Sequence, residues 1–449
     1  MVRSIDFFSP LKKATIVLSG LLLLGCSTDP EWLKPSGKAI TTPDKTLGFE
    51  QYVTQTQATI EQVVTKVHFK DKEAKSPFVG GYNATEIAQM RAPFQLPEKN
   101  QSRCSDQTQG AAKGFLLVHG LTDSPYLLKN MADSLRGQYP CALIRSVLLP
   151  GHGTVIGDTL SMSYQQWKKT TDYGVNSFLT EKSIKELYIV GFSTGTALAI
   201  QHVLENTENS KIKGLVLLST AVKASSGLAW LAPYIKGLKP WVGVNKDRDG
   251  ARYSSFSTNA GAQFYLLTKG MLDKKNQLDI PVLMAVSADD ATIDALAARQ
   301  YFCKNVVNKR KLLVWYQGFA DQAELSCDGI LTVAKPELEQ TQDDVKYRYA
   351  NASHTGVSVN PIDVHYGVQG VYRDCKAYEK SDDDSQWLKC VEDTGVKTFG
   401  EKNIADMPNV LAKGMWRRGT FNKDYDALVE KVVCFTDAQC STADLQAAK

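Results

Sequence analysis

The 449-residue chain lacks an apolar run long enough to cross a bilayer: Ala14–Leu24 spans eleven residues where a membrane helix needs about twenty, and nothing else reads as membrane-spanning. It lacks a charge imbalance too. With 52 Lys and Arg against 48 Asp and Glu the formal net charge is +4, and no basic run or aromatic-basic interleaving is present, so nucleic acid is not an expected partner. There is no internal repeat. Histidine is scarce, six in all, and no His or Cys cluster has metal-ligand spacing; neither a metal nor another cofactor is expected. What remains, 43% hydrophobic and 22% charged, is the composition of an ordinary globular protein, long enough for one large enzyme-sized core with elaborations.

The most informative segment is Gly191-Phe192-Ser193-Thr194-Gly195, placed where the β-like Leu187–Val190 gives way to a helix-like run from Thr194. A serine on so sharp a strand-to-helix turn presents its hydroxyl above the sheet edge as a nucleophile. Upstream, the buried-strand pattern Gly114–Val118 runs into His119-Gly120-Leu121, and Ala142–Leu149 ends in Pro150-Gly151-His152-Gly153. These three motifs in this order resemble the α/β-hydrolase fold, and within it the carboxylesterase and monoacylglycerol-lipase-like serine hydrolases. The resemblance covers Gly114 to about Gly367. It implies an α/β architecture, a mostly parallel sheet flanked by helices, with a lid insertion and, beyond it, a cysteine-containing C-terminal extension. It also implies that the backbone N–H groups of Leu121 and Thr194 form the oxyanion hole.

A serine hydroxyl needs a histidine to take its proton and a carboxylate to hold that histidine's tautomer, in the chain order Ser, acid, His for this fold. That order leaves His354 and His365. His354 is preferred, in the small polar loop Asn351–Gly356 after the strand-like Val345–Ala350; His365 is the alternative. For the acid, Pro281–Val286 is a buried-strand pattern ending at Asp289-Asp290. Relatives carry an aliphatic residue three positions after the acid, which favours Asp290 with Ile293; Asp289 would then be a solvated loop carboxylate or a helix cap. His119 is expected to orient the oxyanion loop, and His152 to satisfy loop backbone groups.

At the N-terminus, basic residues precede the short apolar run, which ends in Leu23-Leu24-Gly25-Cys26-Ser27 and resembles a bacterial lipobox. This implies a signal peptide over 1–25, lipidation of Cys26 and anchoring to a membrane. Ser27, where an aspartate would favour inner-membrane retention, points to an outer-membrane lipoprotein facing the periplasm or the cell surface. Residues 26–47 read as a tether and 48–112 as an N-terminal helical and edge region, with an amphipathic helix over Phe49–Val67 carrying Val53, Ile60, Val63, Val64 and Val67 on one face. Eight further cysteines in an exported chain suggest disulfides, with sequential pairing preferred: Cys104 with Cys141, Cys303 with Cys327, Cys375 with Cys390, Cys434 with Cys440.

The hydrolase domain is expected over 113–367, with a lid at about 222–278, an insertion at about 317–344, and an extension over 368–449. Trp230 and Trp241 in the lid are either walls of an acyl pocket or simple packing. The expected activity is hydrolysis of carboxylic esters through an acyl-enzyme, with fatty-acyl esters such as monoacylglycerols or lysophospholipids favoured by resemblance and membrane address. Peptidase, thioesterase or amidase chemistry uses the same machinery, and a non-catalytic binding lipoprotein on the same scaffold is the competing class. Oligomeric state is not legible.

Overall fold

A computed structural model describes residues 29–70, 75–96, 112–319, 325–380, 383–401, 414–437 and 439–447. Cys26 and Cys104 lie outside them, and with them the lipobox and the first expected disulfide. The strands, in chain order, are β1 (Phe94–Leu96), β2 (Ala112–Val118), β3 (Leu143–Val147), β4 (Ile184–Phe192), β5 (Ile212–Leu218), β6 (Trp241–Gly243), β7 (Phe256–Ser257), β8 (Val282–Ser287), β9 (Lys311–Tyr316), β10 (Ile330–Val333), β11 (Glu339–Gln342), β12 (Val345–Tyr349), β13 (Lys397–Gly400) and β14 (Trp416–Arg418).

Eight of them form one sheet in the order β1-β3-β2-β4-β5-β8-β9-β10. All neighbours are parallel except β1, antiparallel at the edge beside β3. Parallel neighbours require long crossovers, and the chain supplies helices. The strands read as continuous apolar runs because both faces of the sheet are covered. On β4, Leu187 and Ile189 enter one core with the helices Tyr164–Leu179, Thr194–Glu205 and Ala295–Asn305. Tyr188, Val190 and Phe192 enter the other with Lys129–Gln138 and Tyr425–Thr436. Each such side chain withdrawn from water contributes about 1.5–3 kcal/mol. This is the α/β-hydrolase fold.

Three expectations about its periphery change. The segment read as a tether is packed from Leu33 onward: Leu33 is buried with Ile156 and Tyr253, Ser36 gives both its N–H and its hydroxyl to Asp158 at 2.7 Å, and Ile40 O accepts the Gly151 N–H at 3.1 Å. Proline and charge suggest flexibility, but Leu33 and Ile40, together with these hydrogen bonds, dock the strap. The helix is Phe49–His68, and its buried stripe is Phe49, Tyr52, Thr56, Ile60, Val63 and Val64; Val53 and Val67 lie at its margins. Finally, the division at 367 is not a packing boundary. β12, the strand before His354, does not continue the central sheet but joins a second one, β11-β12-β13-β14, whose last two strands come from beyond Gly367.

The insertion between acid and base adds β10 to the sheet edge and β11 to the second sheet. Cys303–Cys327, Cys375–Cys390 and Cys434–Cys440 are disulfides, matching the sequential pairing, and Cys141 is also disulfide-bonded. No described helix is long and apolar enough to cross a membrane.

Candidate active site

Ser193 joins β4 to the helix Thr194–Glu205 with φ 51° and ψ −120°, a conformation that costs a non-glycine residue about 1–3 kcal/mol. The turn is held by its surroundings: Ser193 N–H donates to Leu218 O on β5 at 2.9 Å. The glycines are required by backbone approach. A methyl on Gly195 would stand 1.9 Å from Val118 O, and one on Gly191 would meet the Gly195 backbone at 2.7 Å.

His354 Nε2 lies 2.9 Å from Ser193 Oγ, and His354 Nδ1 lies 2.6 Å from Asp290 Oδ2. An ionised Asp290 only accepts, so Nδ1 carries the proton and Nε2 is free to receive one from the serine. Asp290 is itself fixed, its Oδ1 accepting the N–H groups of Thr292 at 2.8 Å and Ile293 at 3.0 Å. The His354 loop is clamped at both backbone ends: its N–H donates to Glu401 Oε2 at 3.0 Å, and its carbonyl accepts the Ser219 hydroxyl at 2.7 Å. Arg418 grips both oxygens of Glu401 at 2.9 Å.

The two alternatives occupy other posts. Asp289 is buried rather than solvated. Its Oδ2 accepts Phe319 N–H at 2.8 Å and the Asn351 amide at 2.5 Å, and Asn351 in turn accepts the Glu401 N–H at 2.7 Å. His365 is fully buried elsewhere, between Asp249 at 2.9 Å and the Tyr82 hydroxyl at 3.1 Å.

The N–H groups of Leu121 and Thr194 have no protein acceptor among the described residues, and both residues border the cavity that holds Ser193. The loop bearing Leu121 is suspended from two histidines. His119 accepts Leu149 N–H at 3.0 Å through Nε2 and turns Nδ1 to Gly120 O at 2.7 Å; His152 Nε2 accepts Thr122 N–H at 3.1 Å. Burial keeps both neutral: His152 is pushed down to about 4, and His119, with His152 beside it, well below its ordinary value.

The cavity is about 800 Å³. Its lining includes the apolar Leu228, Ala232, Ile235, Val242, Phe256 and Phe264 and the charged Arg252, Asp374, Lys376, Glu401 and Arg418. Neither Trp230 nor Trp241 lines it. Trp230 is half exposed, and Trp241 packs against Leu33, Ile156 and Tyr253. On the short helical turns of the lid the smaller neighbours face inward, a choice that aromatic content cannot reveal. Asp123, Arg252, Glu401 and Arg418 were not foreseen, since nothing in the local sequence signals that four distant segments converge. Among the described residues no three His, Cys, Asp or Glu side chains group as a metal site.

No family model matches the chain, and no curated protein matches it. Solved structures resemble about half of it. One from work on the metagenome-derived lipolytic enzymes LipS and LipT is 18% identical, covering 50% of this chain and 86% of its own, with a TM-score of 0.41. A soluble variant of the Saccharomyces cerevisiae monoglyceride lipase with a substrate analogue is 15% identical, covering 51% and 82%, with a TM-score of 0.41. The Paleococcus ferrophilus monoacylglycerol lipase is 18% identical, covering 50% and 88%, with a TM-score of 0.40.

Proposed function

We propose that the chain is a serine hydrolase of carboxylic esters, with fatty-acyl esters such as monoacylglycerols or lysophospholipids as substrates. The observation that carries this reading is the continuous relay from Ser193 Oγ to His354 Nε2 at 2.9 Å and from His354 Nδ1 to Asp290 Oδ2 at 2.6 Å, opening into an 800 Å³ cavity. Ser193 Oγ attacks the ester carbonyl while His354 Nε2 takes its proton. The oxygen that becomes negative is received by the Leu121 and Thr194 amides, a stabilisation of about 3 kcal/mol for one such donor. Collapse breaks the bond to the alcohol, which leaves with the proton from Nε2. Water then attacks the acyl-serine, giving its proton to His354, and the acid departs as Ser193 recovers its hydrogen. The apolar lining residues support an acyl chain as the group retained on the serine.

We further propose, from the lipobox-like sequence alone, that Cys26 is lipidated and holds the enzyme at the bacterial outer membrane. Several acyl chains anchor stably where one does not.

The direct test is a fluorophosphonate probe with p-nitrophenyl esters of increasing acyl length. Labelling and turnover by the wild type, absent in Ser193→Ala, are expected; a folded wild type that neither labels nor turns over would leave a binding scaffold.

A further inference from the structure

Two residues of the C-terminal extension reach both loops of the proposed relay. β13 and β14 pair in parallel with Gly400 opposite Arg418, and Gly419 N–H donates to Gly400 O at 2.9 Å, so Glu401 and Arg418 leave the second sheet together. Glu401 accepts the His354 N–H at 3.0 Å, and Arg418 binds both oxygens of Glu401 at 2.9 Å. Arg418 Nη2 carries two protons, and besides Glu401 it reaches Thr292 Oγ1 at 2.8 Å on the loop of the acid. Thr292 N–H in turn donates to Asp290 Oδ1 at 2.8 Å, and Asp290 Oδ2 meets His354 Nδ1 at 2.6 Å. These contacts close a ring that runs from Arg418 through Thr292, Asp290, His354 and Glu401 back to Arg418.

A second path runs beside it. Asp289, next to the acid, accepts the Asn351 amide at 2.5 Å, and Asn351 Oδ1 accepts the Glu401 N–H at 2.7 Å. Glu401 is therefore a node where ties from both loops meet, 1% exposed and held by two charge-assisted bonds from Arg418. Such ties matter because the two loops follow strands of different sheets. β8, before Asp290, belongs to the central sheet and β12, before His354, to the other, so sheet hydrogen bonds do not set their relative position. The hydroxyls of Ser219 and Ser287 bind carbonyls of the base loop at 2.7 Å each, which docks that loop on the central sheet without touching the Asp290 carboxylate. The ring passes through the carboxylate itself. A relay misplaced by about 1 Å loses roughly 100-fold in rate, so what fixes acid against base has catalytic weight.

We propose that Arg418 is a positioning residue for catalysis: through Thr292 it fixes the turn that orients Asp290, and through Glu401 the loop that presents His354. This rests on the serine-hydrolase reading of Ser193 and adds to it a part of the machinery supplied from beyond Gly367.

The test is a double-mutant cycle on the full chain between Arg418→Met and Thr292→Val. It reads kcat and KM for p-nitrophenyl acetate and the rate of fluorophosphonate labelling, with the melting temperature alongside. Arg418→Met should lower kcat roughly 10- to 100-fold and the labelling rate in parallel, with KM changed less than about twofold. Thr292→Val should lower kcat roughly 3- to 10-fold, and the double variant should be no slower than Arg418→Met alone, because the second change removes a link already broken. Arg418→Lys, which keeps the charge on Glu401 and loses the fork, should recover part of the rate. Losses that multiply in the double variant overturn the proposal, since each residue would then be a separate brace. So does a folded Arg418→Met enzyme with wild-type kcat, or one whose KM rises while kcat holds, which would make Arg418 a substrate contact. Should Arg418→Met not fold, Thr292→Val decides alone, since Thr292 is exposed, and wild-type kcat in it overturns the proposal. A folded wild type that neither labels nor turns over the ester removes the hydrolase reading itself, an outcome separable from the others because each of them requires an active wild type.

Discussion

The backbone N–H of His354 donates to Glu401 Oε2 at 3.0 Å across 47 positions of sequence. The loop carrying the proposed base is thus held by the strand end of β13, which the central sheet does not contain. Arg418 at the end of β14 neutralises that carboxylate with two contacts of 2.9 Å. Replacing Glu401 by Ala takes the acceptor from the His354 N–H and leaves the Arg418 guanidinium with Thr292 Oγ1 at 2.8 Å, in a site where Glu401 is 1% exposed. We expect a loss of about 1–3 kcal/mol in stability with reduced kcat, and a smaller loss for Glu401→Gln, which keeps the acceptor. Thermal melts alongside turnover of a p-nitrophenyl ester check both.

The adjacent aspartates should separate by the kind of damage they cause. Asp290→Asn turns a side-chain N–H toward His354 or forces the wrong tautomer, and kcat should fall by roughly 10⁴ with little change in melting temperature. Asp289→Asn disturbs Phe319 N–H and Asn351 instead, so its main effect should be on the melting temperature. A larger kcat loss for Asp289→Asn would exchange their roles.

Acyl-chain selectivity should follow the residues that face the cavity. Ile235→Ala and Val242→Ala should each lower the ratio of kcat/KM for a decanoyl over an acetyl ester, roughly tenfold where a well-packed contact is lost. Trp241→Ala, removing a side chain packed on Leu33 and Ile156, should lower the melting temperature and leave that ratio in place. The reverse pattern would put the acyl chain elsewhere.

Acid sensitivity should trace in part to His152. Its folded value lies at about 4 against an ordinary 6.5, so below pH 6.5 the unfolded chain binds a proton that the folded one refuses. Stability present above pH 6.5 is therefore lost as pH falls toward 4, by about 3 kcal/mol for this one group. His119 acts in the same direction; Asp123, raised to about 6 by burial, acts in the opposite one. The comparison that isolates His152 is the wild type against His152→Gln: the difference in melting temperature should be greatest at pH 7 and shrink between pH 6.5 and 4. A difference independent of pH would mean that the ring titrates alike in the folded and the unfolded chain, and one that grows toward pH 4 that the fold favours its protonated form.

Cys26→Ser is expected to abolish incorporation of labelled palmitate and to release at least part of the enzyme from membranes with its esterase activity retained. Continued labelling of that variant would remove the lipoprotein proposal while leaving the catalytic one untouched.

Much of this was legible without coordinates because it is local. Gly191 is demanded by contact within one strand-turn-helix unit and Gly195 by the close approach of the end of β2 at Val118, and the His119 and His152 loops end strands whose apolar runs announce them. Ile293, which favours Asp290 over Asp289 in the sequence, donates its N–H to Asp290 Oδ1 at 3.0 Å. The rest depended on where distant segments meet. Pairing of β12 with β13, and of β13 with β14, is a choice among many possible strand partners, accompanied by burial of Phe399 against Tyr347 and Phe421, and no short-range pattern encodes it. For the same reason the cavity's charged lining, assembled from residues 123, 252, 374, 376, 401 and 418, was decided by tertiary packing alone.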